Sequence, residues 1–101
     1  MTQSSITPHH ALVLNVLQHV TTDRLQRAIN ALAEGSVTVT LTWRTEAEIR
    51  ALMQNGEGSK EYGVTLTETL TTCSCPDALY RGVICKHATV LALSMLREPR
   101  P

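Results

Sequence analysis

Apolar and polar residues recur along this chain with two different periods, and the change between them divides it into elements. Leu12, Val13, Val16, Leu17 and Val20 fall at helical spacing. Thr7-Pro8 supplies a start signal for that helix, a hydroxyl at the N-cap and a proline at the first helical position. The stretch "TTDRLQRAINALAEG" predicts a second helix almost at once, with a threonine cap and an apolar face of Leu25, Ala28, Ile29, Leu32 and Ala33. Gly35 is placed to stop it, and Arg24, Gln26, Arg27 and Asn30 fall on the solvent side.

At Val37 the period drops to two. Val37, Val39, Leu41 and Trp43 alternate with Thr38, Thr40 and Thr42, the pattern of a half-buried strand with the tryptophan packed in its apolar row. "TEAEIRALMQN" carries two signals. Thr45 and Glu48 match a helical capping box, whereas Ile49, Ala51 and Met53 alternate. The Gly-rich "NGEGSKEYG" that follows reads as a hairpin tip and favours a strand. "YGVTLTETLTTC" alternates again, with Tyr62, Val64, Leu66 and Leu70 on its faces. "CKHATVLALSMLRE" reads as a largely buried helix that begins near Lys86 and ends before Pro99. The expected fold is α+β: N-terminal helices, a small antiparallel sheet of two to four strands, and a C-terminal helix. Residues 1–36 form a helical segment packing on a domain of residues 37–98.

Length and composition narrow this picture. At 101 residues the chain is long enough for one domain with its own core, which must be mostly aliphatic because aromatics are only 3%. No apolar run approaches the roughly 18 residues needed to cross a bilayer. "MTQSSITPHH" lacks the basic and apolar regions of a signal peptide. The expected location is therefore cytoplasmic, where cysteines stay reduced. Nine basic and nine acidic residues cancel, so the chain has no global field to draw it to nucleic acid. Arg44, Arg50, Lys60, Arg81 and Lys86 leave a local basic face open, although solvated surface is the default reading of such charges.

All three cysteines lie within "TCSCPDALYRGVICKHATVLAL", as Cys73-x-Cys75, nine residues, then Cys85-x-His87. Three thiolates and one imidazole make a tetrahedral zinc set. A redox centre would favour Cys-x-x-Cys at a helix start, a spacing that is absent. A Cys85–His87 catalytic pair is disfavoured because neighbours two apart at a helix start diverge. Four protein ligands also leave no place for a reactive water, which makes the zinc structural. Asp77 is placed to cap a short turn, and Arg81-Gly82 to make a tight return. The second nitrogen of His87 should donate to a backbone carbonyl or a carboxylate. His9, His10 and His19 read as exposed histidines, not a second metal site.

The motif resembles the SWIM zinc finger: "CSCPD", then "RG", then "CKHA" and an apolar helix, with "VTVTLTW" and "YGVTLTET" where that family places its hairpin. The likeness extends over residues 37–96, and the helix "DRLQRAINALAEG" is similar to what precedes the finger in some small members. It departs at Leu79 and Tyr80, where many members carry an earlier aromatic after Pro-Asp. The resemblance implies one structural Zn2+ held by Cys73, Cys75, Cys85 and His87 in a small stand-alone SWIM protein. It further implies binding to DNA or to another protein. On the nucleic-acid reading, Arg81 and Lys86 carry the contact. On the adaptor reading, an apolar side of "ALVLNVLQHV" meets a protein partner. No nucleophile, paired-carboxylate or phosphate-loop motif points to an enzyme or a small-molecule substrate. The expected state is a monomer or homodimer without membrane contact.

Overall fold

A computed structural model describes residues 10–56 and 60–97. Two helices, α1 (His10–His19) and α2 (Thr22–Glu34), precede four strands. These are β1 (Val37–Arg44), β2 (Glu48–Asn55), β3 (Glu61–Thr67) and β4 (Thr71–Cys73). A short helix α3 (Pro76–Arg81) leads to α4 (Lys86–Arg97). The predicted start signal at Thr7-Pro8, His9 and the tip at residues 57–59 lie outside the described residues.

The helix ends follow their sequence signals. Thr21 caps α2 by accepting from the Arg24 N–H at 3.3 Å, and Gly35 closes it in the left-handed region at φ 68. The buried face of α2, however, is rotated from the expected one. Ala28 and Ala31 are buried, Ile29 is 44% exposed, and Arg24 lies inward. The inward Arg24 is explained by an ion pair described below, which periodicity alone does not contain.

The strands form one antiparallel meander in the order β1-β2-β3-β4. Ile49, Ala51, Met53, Val64, Leu66 and Cys73 are buried on one face. Against that core lies α4, with Val90, Leu91 and Ala92 fully buried; it also touches α1 and α2. The inner residues of α1, namely Leu12, Val13 and Val16, are buried in the same cluster.

The ambiguous segment is a strand, and its capping-box residues have another use. Thr45 Oγ1 accepts from the N–H of Ala47 (3.2 Å) and of Glu48 (3.0 Å), closing the turn between β1 and β2. Thr67 does the same for Thr69 and Leu70 between β3 and β4. A threonine hydroxyl that can cap a helix can equally close a tight turn, so the local pattern cannot separate the two. Leu70 consequently sits in a turn, 57% exposed, and not on a strand face.

Trp43 is also displaced from its expected place. Leu41 pairs with Ala51, but Trp43 pairs with Arg50, because a bulge shifts the register between them. Since a one-residue shift reverses the face, Trp43 leaves the apolar row. It is 52% exposed, with the Arg50 guanidinium 5.7 Å from its ring centroid.

Candidate metal centre

The four predicted ligands converge from three elements. Cys73 ends β4, Cys75 is the N-cap of α3, Cys85 precedes α4, and His87 lies in the first turn of α4. Their ligand atoms all lie within 4.8 Å of one another, and all four residues are buried. A tetrahedral zinc with bonds of about 2.0–2.3 Å has ligand-to-ligand edges of roughly 3.5–3.8 Å. The observed Cys73 Sγ to His87 Nδ1 separation is 4.0 Å and none in the set exceeds 4.8 Å, so contractions of about 1 Å or less close the set around one ion.

Backbone and side-chain contacts hold each half in place. Ser74, between the first two cysteines, bridges to β3 twice. Its N–H donates to the Gly63 carbonyl at 3.0 Å, and its Oγ accepts from the Gly63 N–H at 2.9 Å. This extends the three-residue β4 by one more anchored position. The chain then bends at Cys75, still extended at φ -73 and ψ 156, and Pro76 opens α3. Gly82, left-handed at φ 64, ends α3 and returns the chain towards Cys85. Cys85 Sγ accepts from the Ala88 N–H at 3.5 Å, as a capping side chain would.

The orientation of His87 is set from the sheet. Its Nε2 lies 3.1 Å from Asn55 Oδ1, and its ring meets the Tyr62 ring with centroids 4.9 Å apart. A metal-binding Nδ1 must be unprotonated, so Nε2 carries the proton and donates it to Asn55. The acceptor is thus a side-chain amide, not the backbone carbonyl or carboxylate expected. Asn55 sits next to Gly56 in a stretch whose only local signal was a turn.

The electrostatics of the thiols fit a cation between them. Cys85 is pulled down to about 4, first by the hydrogen bond from the Cys73 thiol, against its burial, with His87 and the Ala88 amide adding. Cys73 is pushed strongly up as that donor and by burial, and Cys75 is pushed up chiefly by burial. Without metal the cluster thus favours one thiolate and two thiols. A zinc ion in the centre supplies the charge that ionises all three.

The profile of the SWIM zinc finger family matches residues 62–95. The chain carries a SWIM zinc finger. No curated protein and no solved structure gives a significant match. The matched segment of the finger contains all four zinc ligands, Tyr62 and Asp77, but not Asn55 or the N-terminal helices. Four buried protein donors make the zinc of this SWIM finger structural.

Asp77 does not cap α3, whose N-cap is Cys75. Its carboxylate instead receives Arg24 of α2 in two bonds, Nε at 2.7 Å and Nη2 at 2.8 Å. This fork ties the N-terminal helices to the SWIM finger. The Arg24 hydrogen bond holds the Asp77 carboxyl below the usual carboxylate range. A depressed folded-state value means the contribution is complete above the unfolded value and is lost as pH falls through the folded one. The pair is therefore fully in place at pH 7. Asp77→Asn is expected to lower the melting temperature at pH 7. In a double-mutant cycle, Arg24→Ala and Asp77→Ala should together cost less than the sum of the singles. Additive losses in the thermal melts would show that the two residues do not cooperate.

The expected basic face divides. Arg81 and Lys86 border a cleft of about 500 Å³ beside the metal centre, together with Arg27, Tyr62, Tyr80 and the ligands Cys75, Cys85 and His87. Arg44 and Arg50 lie at the other end of the β1–β2 hairpin, where Arg50 also pairs with Glu48 at 2.7 Å. The five residue steps from Arg50 to Asn55 span about 17 Å of strand. Lys60 directly precedes β3 and does not line the cleft. Arg27, assigned only to a wet helix face by periodicity, is the cation that the sequence did not connect to the finger. Among the described histidines, His10 and His19 are exposed, and His19 Nδ1 lies 2.8 Å from the Asn15 carbonyl of its own helix. No described helix is long and apolar enough to cross a membrane.

Proposed function

We propose that this SWIM finger binds nucleic acid on the cleft beside its zinc centre, acting by binding and not by catalysis. The observation that carries the reading is the convergence of Arg27, Arg81 and Lys86, from α2, α3 and α4, on one cleft. Three of those charges are available for an anion. Lys86 makes no ion pair with another described residue. Arg81 reaches Asp77 only at 3.6 Å, and that carboxylate is already engaged by Arg24. Arg27 pairs with Asp23 at 2.7 Å, but both side chains are more than half exposed, and such a pair is weak in water. Zinc with three thiolates and a neutral imidazole carries one negative charge, so the cations outweigh it.

The adaptor reading has less of its stated surface to offer. The inner face of α1 is covered within the chain, with Leu12 and Val16 fully buried; Leu14, 39% exposed, is its largest outward apolar residue. The nucleic-acid reading is tested by fluorescence anisotropy of a labelled oligonucleotide at several salt concentrations. Arg81→Ala with Lys86→Ala is expected to weaken binding about tenfold. It should also flatten the salt dependence by about 1.4 in log–log slope on a single strand. Salt-independent binding, or binding untouched by the double variant, would sink the proposal.

A further inference from the structure

The geometry points to a single-stranded nucleic acid as the ligand of this cleft, with Tyr80 as the platform on which a base stacks. The inference rests on the nucleic-acid reading above and narrows it.

Tyr80 is 84% exposed, and its side chain makes no hydrogen bond or ring contact with another described residue. It lies in α3, none of whose residues is buried, so the ring contributes nothing to the core. Yet it lines the same cleft as the three cations. Tyr62, on the same cleft, already has its ring against His87 and belongs to the zinc centre. An uncovered aromatic ring beside backbone-binding cations is the arrangement that holds an unpaired base and its phosphates. A cavity of about 500 Å³ is within the usual range for a small-ligand-sized group, roughly 300–1,000 Å³.

Duplex binding in the major groove needs a convex element with an exposed basic face, such as a helix entering a groove about 12 Å wide. Among the described helices none offers one. The middle of α4 is fully buried at Val90, Leu91 and Ala92. The outer side of α2 mixes Arg27 with Asp23 and Glu34. α3 has six residues, about 9 Å of helix. A concave cleft between α2, α3 and the start of α4 suits instead an extended strand whose bases are free to turn in. Because the whole chain is neutral, long-range attraction is small and stacking carries more of the affinity.

The test compares a mixed-sequence labelled strand of about 12 nucleotides with the same strand annealed to its complement. Both are titrated with the zinc-loaded full chain and with Tyr80→Ala and Tyr80→Phe. The exposed position makes folding of both variants verifiable by an unchanged melting temperature. The expected result is at least about tenfold preference for the single strand, about tenfold loss in Tyr80→Ala, and retention in Tyr80→Phe. If the duplex binds as tightly, or Tyr80→Ala binds the single strand normally while the Arg81/Lys86 variant does not, the inference is overturned and the broader reading stands. If neither form binds, both are overturned.

Discussion

Removal of zinc by a chelator is expected to unfold far more than the loop that binds it. Ion binding at a structural zinc site contributes on the order of 10 kcal/mol to folding. A domain of this size has a net stability of only about 5–15 kcal/mol. The ligands also sit where loss spreads. Cys85 and His87 fix the start of α4, and α4 is the element against which α1, α2 and the inner faces of β3 and β4 pack. Without the ion, Cys73 and Cys75 favour their neutral thiols and Cys85 its thiolate, so only thiol-to-thiolate hydrogen bonds hold the three sulfurs together, far weaker than coordination to a shared cation. The expected spectrum of the chelated protein lacks dispersed amide signals from β4, α3, α4 and both N-terminal helices. Cys85→Ser should behave alike. A chelated protein that kept its melting temperature and its α4 amide signals would refute a folding role for the metal.

The second large effect concerns Asn55. Its side-chain oxygen takes the His87 Nε2–H at 3.1 Å, the contact that presents Nδ1 to the metal. Outer partners of this kind are typically worth about 10–100-fold in metal affinity. Asn55→Ala is expected to weaken zinc binding by that factor, about 1.4–2.7 kcal/mol, in competition with a chelator of known affinity. Asn55→Asp retains an acceptor and adds charge, and should hold zinc at least as well as the parent chain. Asn55 is half-buried at a strand end, outside the core cluster, so the variants should fold with zinc. Equal zinc affinity in Asn55→Ala would mean that the Tyr62 ring and the helix alone orient the imidazole.

The amino-acid sequence by itself determined the chemistry of the centre. Thiol and imidazole donors with that spacing, bounded by a strand and a helix, define a zinc clasp because coordination needs only those groups brought within bonding range. The same holds for the existence of the elements with clean periods, such as α2, β3 and α4, whose side-chain spacing is a local property of the backbone, although the buried face of α2 was decided by packing. The tertiary structure decided what depends on two distant segments meeting. Asn55 read as a turn residue because its partner His87 is 32 positions away. Arg24 read as a solvated cation because Asp77 is 53 positions away. Trp43 left its apolar row through one bulge against β2, a register event with no trace in β1 alone. Arg27 joins Arg81 and Lys86 for the same reason, since the cleft exists only once α2 is docked beside α3 and α4. Local spacing fixes which atoms a residue offers; only long-range packing fixes which atoms they meet.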